Sequence, residues 1–206
     1  MTEEEARAVL ILEYGVPRET MARLESFVAL LKHESGHQNL IARGTFDTIW
    51  TRHILDSAQL VRFGASARTW LDVGSGAGFP GLIVAAISKA RVTLVESRRL
   101  RVDFLLKAAA VLGLSDRVQV AFLPIERLNR EVVDVISARA LAPLDRLLPL
   151  CHRFADAKTR WILPKGRSLH SELEAIRSTW QGEFHVEPSR TDPQAGIVVA
   201  TNVRHS

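Results

Sequence analysis

One cysteine, Cys151, is all the thiol this 206-residue chain contains, so no internal disulfide can staple it. The residue lies in "RLLPLCHRFA", a helical pattern in which it reads as a small buried hydrophobe, and a reducing compartment fits that usage. No apolar run approaches the roughly 18 residues that cross a bilayer. The start, "MTEEEARAVL", is acidic and lacks the basic opening of a secretory signal. Internal repeats, low-complexity tracts and long linkers are missing too. These absences predict an unexported, cytoplasmic protein with one main domain and a small appendage. A composition of 47% hydrophobic and 24% charged residues is that of a globular chain able to bury a core.

The first third reads as helices. Thr2 and Glu5 have capping-box spacing ahead of "ARAVLILEYG", and Gly15 with Pro17 stops that helix. In "RETMARLESFVALLKHESG" the residues Leu24, Phe27, Val28 and Leu31 recur at helical spacing. A third helix is expected over 47–63, with Ile49, Trp50, His53, Ile54 and Ser57 on one face. From Trp70 onward short β-rich runs alternate with helical ones: "TWLDV", "RVTLVE", "RVQVAF", "VVDVIS" and "TRWILP". That alternation predicts right-handed βαβ units and a mostly parallel α/β sheet. The last two runs, "EFHVEPS" and "GIVVATNVR", have no helix between them and predict a closing antiparallel pair. The expectation is a Rossmann-like sheet of seven strands over 66–206, with a helical extension over 1–65.

The stretch "WLDVGSGAGFPGL" sends a strand into a loop containing Gly74, Gly76, Gly78 and Gly81. In open parallel sheets, ligands lie beyond the carboxyl ends of the strands, against this kind of turn. "GAGFPG" is literally a G-x-G-x-x-G, which alone is a weak sign of a dinucleotide. The preceding Asp72 changes the balance, because a carboxylate is unfavourable beside pyrophosphate and favourable beside an ammonium group. S-adenosylmethionine carries such an ammonium, a sulfonium and no phosphate. Glu96 ends the next strand about 20 residues beyond the loop, where an acid accepts hydrogen bonds from ribose hydroxyls in either ligand class. On these residues alone a methyltransferase leads, with a small-molecule methyltransferase and an NAD-dependent oxidoreductase as alternatives.

Taken in order, "NL" at Asn39-Leu40, "RHILDS" at 52–57, "LDVGSGAGFPG" at 71–81, "VESRRLRVDFL" at 95–105, "LGL" at 112–114, "ISARALAPL" at 136–144 and "LPKG" at 163–166 make the chain resemble one family. It is the glucose-inhibited division protein B family, also called RsmG, bacterial methyltransferases acting on a guanine N7 of 16S rRNA. The resemblance implies the class I S-adenosylmethionine-dependent methyltransferase fold. It also implies a cofactor site of Asp72, Gly74, Ser75, Gly76, Gly78, Phe79, Glu96, Ile125, Glu126 and Arg139, with Ile125 and Glu126 flanking the adenine. In one departure, Pro124 stands where the family often has an Arg, two residues before Glu126.

Guanine N7 has an in-plane lone pair and no proton, so attack on a methyl group calls for position and desolvation and not for a general base. Rival nucleobase chemistries lack their signatures: no Pro-Cys for carbon methylation, and "SARA" where exocyclic-amine enzymes have Asn/Asp-Pro-Pro-Tyr. Arg139 and Lys165, after successive strands, are expected at the catalytic face. Arg139 would use its fork on guanine O6 or a phosphate, and Lys165 would meet a phosphate. From Lys89 to Arg130 there are nine basic and four acidic residues. Arg98, Arg99, Arg101 and Lys107 in that run, with Arg52, Arg139 and Lys165, are the expected RNA contacts. The expected partner is rRNA within the small ribosomal subunit, bound by a monomer. No metal site is expected.

Overall fold

A computed structural model describes residues 1–206, the side chain of Arg43 excepted. Helix α1 (Glu3–Leu12) opens with the capping box expected of it, Glu5 N–H donating to Thr2 Oγ1 and Thr2 N–H to Glu5 Oε2. Helix α2 (Arg18–Glu34) turns Leu24, Phe27 and Leu31 wholly inward. The third helical stretch is irregular. It begins at Trp50 with widened turns, passes through a short α segment, α3 (Asp56–Ala58), and tightens to a 3-10 turn over Gln59–Phe63. Its start is held from a distance, since the N–H groups of Trp50 and Thr51 both donate to the Glu3 carboxylate, at 2.8 and 3.0 Å. An acid on α1 therefore satisfies donors that a helix start leaves open.

Strands β1 (Thr69–Val73), β2 (Arg91–Glu96), β3 (Val118–Phe122), β4 (Val135–Ser137), β5 (Arg160–Lys165), β6 (Trp180–Pro188) and β7 (Gly196–His205) form one sheet in the order β3-β2-β1-β4-β5-β7-β6. The first five run parallel and β7 runs antiparallel to both its neighbours, as the missing final crossover helix required. Helices α4 (Gly81–Ile87) and α5 (Arg99–Val111) cover one face, and α6 (Leu144–Cys151) and α7 (Leu169–Ile176) the other. The amino-terminal helices join the α4 and α5 side, where Leu10, Phe27 and Trp50 share one apolar cluster with Trp70, Leu82, Leu94 and Phe104.

Two boundaries differ from expectation. The run "SLHSELEAIRSTW", helical by its pattern, gives α7 only as far as Ile176, because Trp180 instead opens β6 and packs its ring against His152 and His205. Strand β4 is shorter than its β-rich run, because Asp134 turns aside to accept N–H bonds from Arg68 and Thr69 at the head of β1. The sheet order reverses between β1 and β4, which opens a crevice at their carboxyl ends.

Candidate cofactor and acceptor site

Strand alternation turns Trp70 and Asp72 toward α4 and turns Leu71 and Val73 the other way. Asp72 is 1% exposed. Its Oδ1 accepts from the Ser137 hydroxyl at 2.7 Å and its Oδ2 from the Gly81 N–H at 3.3 Å, while the Ser137 oxygen accepts from the Trp70 indole. Burial pushes the Asp72 carboxyl pKa up, and the donors around it pull the other way. Among the described residues it enters no ion pair. The carboxylate thus sits below the glycine loop, fastening β1, β4 and the head of α4. Gly81 is required there: a Cβ would fall 2.3 Å from Leu94 and 2.8 Å from Asp72 Oδ2. Ser75 closes the turn by donating to the Asp72 carbonyl.

Glu96, 5% exposed, lies beside the loop. Its oxygens accept from the N–H groups of Gly76, Ser97 and Arg98, and the Arg101 guanidinium stands 3.6 Å away. At Gly76, with φ of +56°, a Cβ would meet nothing nearer than 3.8 Å, so the space over the backbone is open next to this acid. Ile125 is buried at the end of β3, and Glu126 beside it is exposed. Two carboxylates at an open glycine backbone fit a cationic nucleoside and repel pyrophosphate, so the residues present suit S-adenosylmethionine. Phe79 points elsewhere. It is 3% exposed, its ring packing edge-on to Phe27 and stacked on His53 at 5.0 Å.

Past Phe79 lies a cavity of about 560 Å³, walled by the irregular helix, residues 139–143, the end of β5 and the turn between β6 and β7. Arg139 is its best-held member. One terminal nitrogen donates to the Arg52 carbonyl and to Asp56 Oδ2, the other meets His53 Nδ1 at 3.0 Å, and the guanidinium lies over the Phe79 ring. A guanidinium only donates, so His53 Nδ1 accepts; its Nε2–H then donates to Thr45 Oγ1, whose hydroxyl donates to the Ala42 carbonyl. His53 is neutral in this chain, its pKa lowered to about 3 by burial and then by Arg139 and Arg52. Leu141 leans from the same loop onto Gly74, where a Cβ would come within 2.6 Å of it, so cavity and glycine loop share a wall. His53 and Asp56 accordingly fasten Arg139.

The expected basic surface is differently disposed. Lys165 is 8% exposed in its side chain, paired with Glu172 Oε2 at 2.8 Å and donating to the Ala142 carbonyl. Arg99 pairs with Asp103, Lys107 with Glu34 on α2, and Arg101 with Glu96 at the glycine loop. Arg98 is exposed. Arg52, Arg139 and Lys165 are the three brought to one cavity. Thr191 and Asp192, which complete its rim, had no sequence signal: they reach Asp56 and Arg52 across more than a hundred residues.

Residues 20–191 match the family model described as rRNA small subunit methyltransferase G. A protein of Rhizorhabdus wittichii named ribosomal RNA small subunit methyltransferase G is 58% identical, the match covering 99% of this chain and 94% of that one. A Zymomonas mobilis protein of the same name is 48% identical, over 98% and 95%. Among solved structures, the O-methyltransferase of Bacillus cereus in complex with SAH superposes with a TM-score of 0.64 at 15% identity, covering 97% of each chain. A ribosomal protein L11 methylase of Lactobacillus delbrueckii does so with 0.57 at 15% identity, over 72% of this chain and 77% of that one.

Proposed function

We propose a function on one premise: this chain belongs to the rRNA small subunit methyltransferase G family. It is an S-adenosylmethionine-dependent rRNA methyltransferase, and its acceptor is N7 of a guanine in the small ribosomal subunit, modified in the cytoplasm by a monomer. When bound, S-adenosylmethionine supplies a methyl group on cationic sulfur. Asp72 and Glu96 put negative potential under and beside the glycine loop, where the ammonium and ribose ends of such a molecule are accommodated. Ile125 offers an apolar face to the adenine.

The observation that carries the N7 reading is the cavity wall. It contains a triply held Arg139, a neutral histidine whose two ring nitrogens are both engaged, and three carboxylates, Asp56, Asp192 and Glu172, each paired with a cation, so among the described residues no side chain there stands ready to remove a proton. N7 needs none. With S-adenosylmethionine bound, methyl transfer would use the purine lone pair, release S-adenosylhomocysteine and leave the positive charge on the base. Asp56, Asp192 and Glu172 line the cavity and offset that charge. Arg139 retains donors beyond its three bonds and directs them at O6, which leaves N7 free. The target base leaves its stack to enter.

Labelled S-adenosylmethionine incubated with small subunits lacking this modification, followed by mapping, is expected to place the label on N7 of a single guanine. Label on an exocyclic nitrogen, or on no rRNA, would overturn the reading. Arg139→Ala is expected to keep S-adenosylhomocysteine affinity within about threefold and to lose transfer. Arg139→Lys should not restore it, because a point charge cannot replace the fork.

A further inference from the structure

We infer that Arg52 is the seat of an RNA phosphodiester and that Asp192 holds this seat in the free protein. The inference rests on the rRNA reading above. Of the three cations that line the cavity among the described residues, Lys165 is 8% exposed and Arg139 20%, both in pairs whose partners are similarly covered. Arg52 differs. Its side chain is 48% exposed and its partner 31%, so an incoming anion reaches it without opening a buried pair.

The contact is also a single one. One terminal nitrogen of Arg52 donates to Asp192 Oδ2 at 2.9 Å, and no second bond from this guanidinium to the carboxylate is formed, so the fork remains open to a bidentate ligand. Asp192 is presented by fixed backbone. Its Oδ1 accepts from the Gln194 N–H, leaving Oδ2 to point at Arg52 as a non-bridging phosphate oxygen would. The turn bearing it is tied down just before Asp192: Thr191 Oγ1 donates to Asp56 and the Arg190 N–H to Gln59 Oε1, both on the helical stretch that carries Arg52, and the Arg190 guanidinium pairs with Glu13 at the end of α1. Arg52, Asp56 and Gln59 are spaced by four and three residues, one helix face, so the turn delivers a carboxylate to the mouth of the acceptor cavity. An RNA strand with a base in that cavity has its flanking phosphates at this mouth. One of them exchanges with Asp192.

The test is a double-variant cycle on the full chain, read as binding of a single-stranded RNA oligonucleotide at several salt concentrations. Asp192→Asn keeps the turn's Oδ1 acceptor and is expected to bind RNA about 1.5- to 5-fold more tightly, the range of one exposed ion pair. Arg52→Ala should weaken binding and flatten the slope of log affinity against log salt by about 0.7, one strand phosphate. In the Arg52→Ala background the Asp192→Asn gain should vanish. An equal gain in both backgrounds would make Asp192 a mere contributor to the general field, and no gain in either would remove its claim to the seat; both outcomes overturn the proposal. Unchanged thermal midpoints and S-adenosylhomocysteine affinities establish that the variants fold. Methyl transfer to small subunits is scored separately: transfer without coupling sinks the seat alone, and coupling without transfer sinks the rRNA reading alone.

Discussion

Asp72 is a carboxyl kept out of water with no ion-pair partner in contact, Arg139 acting on it only at a distance, an arrangement that costs stability unless neighbouring dipoles compensate. The Ser137 hydroxyl and the Gly81 N–H at the head of α4 do so, and they leave a negative potential under the loop for a positive ligand to use. Asp72→Asn preserves the shape and removes the charge. Calorimetry is expected to show at least a tenfold loss of S-adenosylmethionine affinity with a small change in thermal midpoint. Asp72→Ala strands both donors and should also cost about 1–3 kcal/mol of stability in urea unfolding. The motif was legible in the sequence because glycines and an acid at a strand end serve local backbone needs. The depth of the carboxylate was not, since only the β1 and β4 pairing brings Ser137 to it.

At the scale of elements, two small parts hold the proposed acceptor side in place. Glu3 on α1 receives the Trp50 and Thr51 N–H groups and the Thr51 hydroxyl. Glu3→Ala is expected to lower the thermal midpoint and to raise KM for the subunit, since Arg52 and Asp56 ride on that helix, while S-adenosylhomocysteine affinity stays constant. Lys165 and Glu172 clamp residues 139–143, Lys165 through the Ala142 carbonyl and Glu172 through the Leu144 N–H. Lys165→Ala leaves Glu172 without its cation and should destabilise by about 3–5 kcal/mol, whereas Lys165→Met with Glu172→Leu should recover much of it. A midpoint unchanged in the single variant would return Lys165 to the phosphate role that its position at the end of β5 suggests. Strands were read closely because their periodicity is local. Within the basic run the pairing of Arg99 with Asp103 is legible from helical spacing, whereas that of Lys107 with Glu34 on α2 is not, since the two are remote in sequence and adjacent only in the fold.

For the whole molecule, acid response follows from His53. The unfolded chain takes up a proton near pH 6.5, and the folded chain refuses it until about pH 3, so stability declines as pH falls through that window. Between pH 6.5 and 5 the loss from this group is on the order of 1–2 kcal/mol. His53→Gln, which cannot titrate, should show a flatter urea midpoint across that range, and equal slopes would count against the neutral tautomer. The placement of β7 governs the molecule at another time, while it is being made. Residues 196–205 are read after residues 160–165, yet they form the interior strand beside them. A nascent chain that has emitted β5 therefore carries a bare, apolar edge through Trp161, Ile162 and Leu163 until their partners Val198, Val199 and Ala200 have been translated. Messages broken within that interval would yield sticky fragments without a finished acceptor cavity, so quality control by proteases or chaperones, and not residual methylation, is the fate such products should meet.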